Sequence, residues 1–253
     1  AETVLEAADR AAAAGAESEA AAEPEDDAGE TLVAGELIED PAGSDLDEGG
    51  LDPARAAARE RAAADAARAM KKVLVEEQGV LLDGIRRSGA AALSHVVDDP
   101  ATHDAAYDEA ATASLKDLAA ELGGSRRLGL GAALDQIHTI ALEPVRQRLG
   151  EVADRVDDPD ELSDTVRALY RESRSRRIPE AAAAAAVAVD GLVAIATADG
   201  PLRWRMVPGG PCGPDCADNE LAGETPAGDE YPTGHRHPPA HDACSCWLEP
   251  DPG

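Results

Sequence analysis

The chain has 253 residues, with 51 Asp and Glu against 23 Lys and Arg, no phenylalanine and only 2% aromatic residues, for a formal net charge of −28. That balance disfavours nonspecific nucleic-acid binding, which draws its affinity from clustered Lys and Arg. No stretch approaches the roughly 18 to 20 apolar residues that span a bilayer. The opening AETVLEAADR also lacks the basic region and apolar core of a secretory signal. A first residue other than Met reads as processing, or as a piece of something longer.

The hydrophobic fraction of 43% includes 55 alanines. Alanine favours helix but buries little surface, so core formation falls to a modest number of Leu, Val and Ile side chains. The composition points to slim helical structure rather than one thick globular core.

Residues 1–53 hold 17 acids and a single base, Arg10. Self-repulsion, alanine runs and Pro/Gly punctuation predict a disordered or loosely helical leader there. It would serve either as a solvating tail or as an arm that contacts a basic partner surface. Asp52-Pro53 then predicts a helix start, with Asp as N-cap and Pro in the first helical position. Met70, Val73, Leu74, Leu81 and Ile85 recur at three- and four-residue spacing, and Gly79 weakens this helix without breaking it. A second helix is predicted from about Thr102 to Leu122, striped by Tyr107, Ala111, Leu115, Leu118 and Leu122, and stopped by Gly123-Gly124.

The third predicted helix runs from about Ser125 to Leu149, with Leu130, Leu134, Ile137, Ala141, Val145 and Leu149 on one face and a kink at Pro144. Asp158-Pro159 opens a fourth, carrying Leu162, Val166, Leu169 and Tyr170 and ending in the basic stretch Arg171–Arg177. A fifth begins at Pro179 and continues through the six-alanine run to about Ala198. No glycine-rich phosphate loop or nucleophile elbow occurs in these helices. His95, His103 and His138 stand isolated on them and read as ordinary surface or core histidines.

From Asp199 the texture changes. Periodicity disappears, Gly, Pro, Cys and His accumulate, and both tryptophans, Trp204 and Trp247, occur here. Residues 203–207 read as a short strand. All four cysteines fall in this segment, as Cys212-x3-Cys216 and Cys244-x-Cys246, with His235, His237 and His241 just before the second pair. A segment this small, with so few large apolar residues, needs a metal or disulfide cross-link to order itself. Structural zinc is held by four Cys or His ligands in a tetrahedron. The natural set is Cys212, Cys216, His241 and one or both of Cys244 and Cys246, which leaves five candidates for four positions. Disulfides are the alternative, with three possible connectivities. A metal-dependent hydrolase using His235, His237 and His241 is a further alternative, although Pro238 and Pro239 occupy the interval where such motifs place an acid.

The run C-G-P-D-C-A-D-N-E, the turn region ending D-E-Y-P-T-G, and P-P-A-H-D-A-C-S-C-W-L resemble the C-terminal signature of the phage Mu protein F-like minor head proteins. Trp204, Cys212, Cys216, Asn219, Tyr231, Pro232, Gly234, Pro238, Pro239, His241, Cys244 and Cys246 match that pattern in order. The close match covers about 45 residues. A looser one extends upstream, where the helix at 162–174 resembles a helix of the family. One departure is E-A-A-A-A-A-A-V-A-V-D on the helix before the Trp strand, where relatives carry an A-R-T-E-like stretch.

The resemblance implies a non-enzymatic structural role: a minor component of a tailed-phage head at the portal vertex or in the head interior, assisting assembly and DNA packaging or ejection. Its implied partners are the portal and other head proteins, with host cytoplasm as the site of assembly and an oligomer on the capsid as one arrangement. Neither a membrane nor sequence-specific nucleic-acid binding is expected. An acidic scaffold-like binding protein is the remaining alternative. The expected architecture is mainly α: a leader at 1–53, an elongated helical region at 54–198, and a small irregular α/β or loop-rich Cys/His module at 199–253.

Overall fold

The computed structural model describes residues 50–250, so the expected acidic leader, apart from residues 50–53, lies outside the described span. Helix α1 (Pro53–Ser88) starts where Asp52 Oδ1 accepts the Ala54 N–H at 2.9 Å and Pro53 occupies the first turn. Its buried face begins as alanine (Ala58, Ala62, Ala66) and continues as Met70, Leu74, Leu81 and Ile85. Gly89, at φ +59°, ends it in a conformation that disfavours a side chain. A 3₁₀ turn (Gly89–Leu93) and the short helix α2 (Ser94–Val97) follow, neither legible from periodicity.

Helix α3 (Pro100–Glu121) repeats the Asp-Pro start: Asp99 accepts the Thr102 N–H at 3.1 Å, and the Thr102 hydroxyl, together with that N–H, holds its carboxyl below the ordinary range. Tyr107, Ala111, Leu115 and Leu118 are fully enclosed against α1. Leu115→Ala is expected to cost about 2–5 kcal/mol of unfolding free energy through the cavity it leaves. Urea titration followed by far-UV circular dichroism measures it, and a loss within experimental error would contradict this packing.

The third predicted helix begins later than the periodicity suggested. Residues 125–130 form turns, with Ser125 Oγ accepting the Arg127 N–H, and α4 spans Gly131–Ile137. It passes through a π-helical segment (His138–Leu142) directly into α5 (Glu143–Ala153). Pro144 lies two residues beyond that segment. A proline lacks an N–H and its ring crowds the carbonyl four residues back, and a wider π turn accommodates both defects without ending the helix. The same device recurs downstream. Helix α6 (Pro159–Glu172) leads through a π segment (Ser173–Arg177) into α7 (Ile178–Thr197), with Pro179 two residues past the widened turn. The expected separate fourth and fifth helices are therefore one continuous helix from Pro159 to Thr197.

That helix has a window of mean hydropathy 1.7, long and apolar enough by composition to cross a membrane. It corrects the expectation that no stretch approaches such a length: the alanines count as apolar by hydropathy although each is small. Two-thirds of the window (67%) is buried inside the fold, as in a core helix. Ala181, Ala182, Ala185, Ala186 and Ala188 are enclosed on α7, and their small side chains let α1, α3 and α4 approach it closely.

A polar cluster lies within the helical core. Tyr170 donates to Glu77, Tyr107 Oη lies 3.4 Å from Glu77 Oε2, and His103 Nε2 lies 2.9 Å from the same oxygen. Arg146, which pairs with Asp104, donates to His103 Nδ1 at 2.9 Å. Burial, together with the Glu77 charge, raises both tyrosines above their ordinary range. His103 is thus a partnered core histidine, His138 meets Asp108 at 2.8 Å, and His95 is exposed.

Beyond α7 the chain forms a three-stranded antiparallel sheet in the order β2-β1-β3. Strand β1 spans Leu202–Arg205, β2 Glu224–Thr225 and β3 Trp247–Pro250, with helix α8 (Pro214–Leu221) between β1 and β2. Trp204 sits opposite Leu248, and Leu202 opposite Thr225. The sheet packs on α7 through β3. All of this belongs, with the helices, to one compact unit. The mainly helical fold with a small sheet and a loop-rich Cys/His region is as expected from the sequence.

Candidate metal centre

One cysteine pair comes in on the segment after β1 and the other on the segment before β3. After that strand a turn at Gly209 (φ +69°) brings in Cys212, whose N–H bonds the Gly210 carbonyl at 2.9 Å. Cys216 follows in the first turn of α8. The second pair precedes β3, so the register of β3 against β1 fixes where Cys246 falls. Ala243, at φ +60°, turns the backbone just before Cys244, and the Cys244 N–H bonds the His241 carbonyl at 3.2 Å.

These loops bring all five predicted candidates together. Cys212, Cys216 and Cys246 form one group whose sulfur atoms lie within 4.8 Å of one another; Cys216, His241 and Cys244 form a second, with Cys216 common to both. The sulfur of Cys212 is 3.8 Å from that of Cys246, and Cys216 is 3.6 Å from Cys244. All four are free thiols, much farther apart than the roughly 2.05 Å of a disulfide. Cys216, Cys244 and Cys246 are buried and Cys212 is half-buried.

His241 differs from the cysteines in that both its ring nitrogens are engaged. Nε2 accepts the Gly213 N–H at 3.0 Å, and Nδ1–H donates to the Asp242 carbonyl at 2.6 Å. It therefore ties the second cysteine loop to the first. The other two histidines lie outside both groups. His235 Nδ1 meets Thr233 Oγ1 at 2.8 Å, and His237 Nδ1 donates to the Pro238 carbonyl at 2.7 Å, next to a cis Pro238–Pro239 bond. Burial pushes His237 below the ordinary imidazole range. Its ring packs so tightly on α7 that a Cβ at Gly191 would meet His237 Cβ at 2.7 Å.

The surroundings treat the thiols unequally. The Cys246 thiol donates to the Cys244 sulfur, which holds Cys244 down to about 5 and raises Cys246. Burial pushes Cys216 up to about 11. The indole N–H of Trp204 is buried with no hydrogen-bond partner among the described residues, and its nearness to Cys246 offsets part of the rise of that thiol. Tyr231 packs edge-on against Trp204, with ring centroids 5.2 Å apart, and donates to the Leu202 carbonyl at 3.1 Å. Asn219 accepts from the Thr233 hydroxyl at 2.9 Å and closes the turn region onto α8.

The sequence reading missed the cationic wall of this site. Arg59, on α1, donates to the carbonyl of Ser245, the residue between Cys244 and Cys246, at 3.3 Å. Arg55 donates to the Leu248 carbonyl at 3.3 Å and pairs with Asp190 at 2.6 Å. Asp190, only 1% exposed, also lies 3.5 Å from Arg59. Two guanidinium groups against one carboxylate leave a residual positive charge beside the sulfurs. One signal was available: Asp190 is the lone charge in an apolar alanine-rich run, and a buried carboxylate requires a partner.

No protein-family model, no curated protein and no solved structure matches the chain. Among the described residues, two Cys/His groups that share Cys216 are close enough to hold a metal ion.

Proposed function

We propose that the chain is a non-enzymatic structural protein of a tailed-phage head, whose C-terminal module is fixed by zinc bound to Cys212, Cys216, Cys244 and Cys246. His241 then serves as the residue that orients the two ligand loops. Four thiolates about 2.3 Å from a zinc ion define a tetrahedron with edges of about 3.8 Å. The separations of 3.8 and 3.6 Å fit two of its six edges, and Cys216 joins the two groups of ligand atoms. The unpartnered Trp204 N–H and the Arg59 guanidinium fit the net negative charge of a tetrathiolate centre. Zinc would supply a cross-link between the loops.

The observation that carries the head-protein reading is the convergence of its signature residues. Trp204, Asn219, Tyr231, His241 and the four cysteines, scattered over more than forty positions, each contact the cluster or brace the turn beside it. The resemblance to the phage Mu protein F-like family rests on these motif residues, and the portal and other head proteins are its implied partners. Metal analysis of protein purified under reducing conditions is expected to give one zinc per chain, and Cys212→Ser none. Mass spectrometry of virions and of portal-containing assemblies is expected to recover the protein. Its recovery only from uninfected cells with no phage head genes nearby would overturn the reading.

Zinc binding must displace the protons that Cys216 and Cys246 hold, because both thiols sit above their ordinary range. Affinity is therefore expected to rise with pH, by about tenfold per unit for each proton released. Competition with a chromophoric chelator across neutral pH measures this. An affinity that stays flat or falls as pH rises would contradict thiolate ligation.

A further inference from the structure

The folded chain assembles a cationic groove that its overall charge conceals. Two adjoining cavities of about 420 and 350 Å³ lie between α1 and the helix formed by α6 and its π segment, sharing Val75 and Arg174. Their rims carry six cations, three from each helix, and a single carboxylate, Glu76. Arg68 and Arg167 are paired within their own helices, to Asp65 and Asp164. Lys71, Lys72, Arg171 and Arg174 have no ion-pair partner among the described residues. The floor is apolar, formed by Leu74, Leu82 and the ring of Tyr170, and Val75 is 45% exposed there.

We propose that this groove is a docking site for an acidic amphipathic segment of a partner protein. Such a segment would place apolar side chains on Val75 and its neighbours, with carboxylates against Lys71, Lys72, Arg171 and Arg174. Helix-in-groove recognition works by that division between apolar anchors and charged rim. Unpaired cations beside an apolar floor favour it over a nucleic-acid backbone, which offers phosphates but nothing for the floor. A long polyanion would in addition meet the remaining surface of a chain with net charge −28. Four neighbouring like charges left without partners repel one another, and an acidic occupant removes that repulsion. The inference stands independently of the head-protein reading, since it uses none of the Cys/His residues.

The test uses the full-length protein and three labelled probes: an acidic peptide with leucines at helical spacing, the same peptide with its leucines replaced by serine, and a duplex DNA oligonucleotide. Fluorescence anisotropy at low salt is expected to show binding of the first probe, with the serine peptide and the DNA markedly weaker. The double reversal Lys72→Glu/Arg174→Glu changes two exposed side chains and is expected to lower affinity for the first probe by about tenfold or more. Its far-UV spectrum and thermal midpoint check that it folds. Val75→Asp is expected to weaken the leucine peptide while leaving the serine peptide unchanged. Failure of the leucine peptide to bind, equal binding of the serine peptide, or stronger binding of DNA would each overturn the proposal. So would self-association of the chain, measured by sedimentation equilibrium, that the reversal abolishes while peptide binding survives; the occupant would then be a second copy.

Discussion

Replacing Cys216 by serine is expected to remove stoichiometric metal from the protein and to disorder its C-terminal module while the helices remain folded. Cys216 is fully buried, belongs to both potential ligand groups, and lies 3.6 Å from Cys244. Its neighbours cannot compensate, because the module's own buried cluster has only four large apolar side chains: Leu202, Trp204, Tyr231 and Leu248. Structural zinc sites of this type contribute about 10–16 kcal/mol of binding free energy, which in small modules is folding free energy. The chain supplies its own reporters. Both tryptophans, Trp204 and Trp247, are buried in the module, so their fluorescence reads it alone, whereas far-UV circular dichroism reads the helices. The expected result is a red-shifted, exposed tryptophan spectrum with most helical signal retained. A variant that keeps one metal per chain and native fluorescence would show that Cys216 is not a ligand.

Asp190→Asn is expected to cost about 3–5 kcal/mol, because it leaves the buried charge of Arg59 and the partly buried charge of Arg55 without their counter-ion. The carboxylate is 1% exposed and faces both guanidinium groups, which in turn hold the Leu248 and Ser245 carbonyls. The loss should therefore reach the C-terminal module as well as α1, and appear in the tryptophan and helical signals together during urea unfolding. The double variant Asp190→Leu/Arg59→Met separates charge from packing. Apolar side chains of similar size relieve the buried imbalance, while the half-exposed Arg55 can turn to water, so stability is expected to recover in large part. Its metal affinity should nevertheless fall by about 10–100-fold, the usual effect of removing a residue that supports the ligands. Unchanged affinity in a folded double variant would remove Arg59 from the metal site.

Local chemistry made much of the fold readable. Asp52-Pro53 and Asp158-Pro159 announce helix starts because the carboxylate accepts orphaned N–H groups and proline has none to lose. The stripes through Tyr107, Leu115 and Leu118, and through Leu162, Val166 and Leu169, mark buried faces because helical period is a property of the chain itself. The five candidate ligands were likewise visible as residue types in a segment too poor in apolar surface to order unaided.

The prolines show where local reading stopped. Pro144 and Pro179 mark a kink or a break in sequence, yet each helix continues by widening one turn, an outcome chosen by packing on either side. Spacing placed His241 among the ligands. The folded loops do bring it within reach of Cys216 and Cys244, and they add what spacing could not show, that its Nε2 accepts the Gly213 N–H.

Net charge divides in the same way. The sequence by itself determined an acidic, alanine-rich helical chain with a cross-linkable C-terminal segment, because caps, period and composition act between near neighbours. Tertiary structure alone decided that Arg59 and Asp190 meet behind the cysteines and that Lys72 and Arg174 meet across a groove. Those encounters join residues about a hundred positions apart or more, and they depend on which helix faces pack together, which no local pattern specifies.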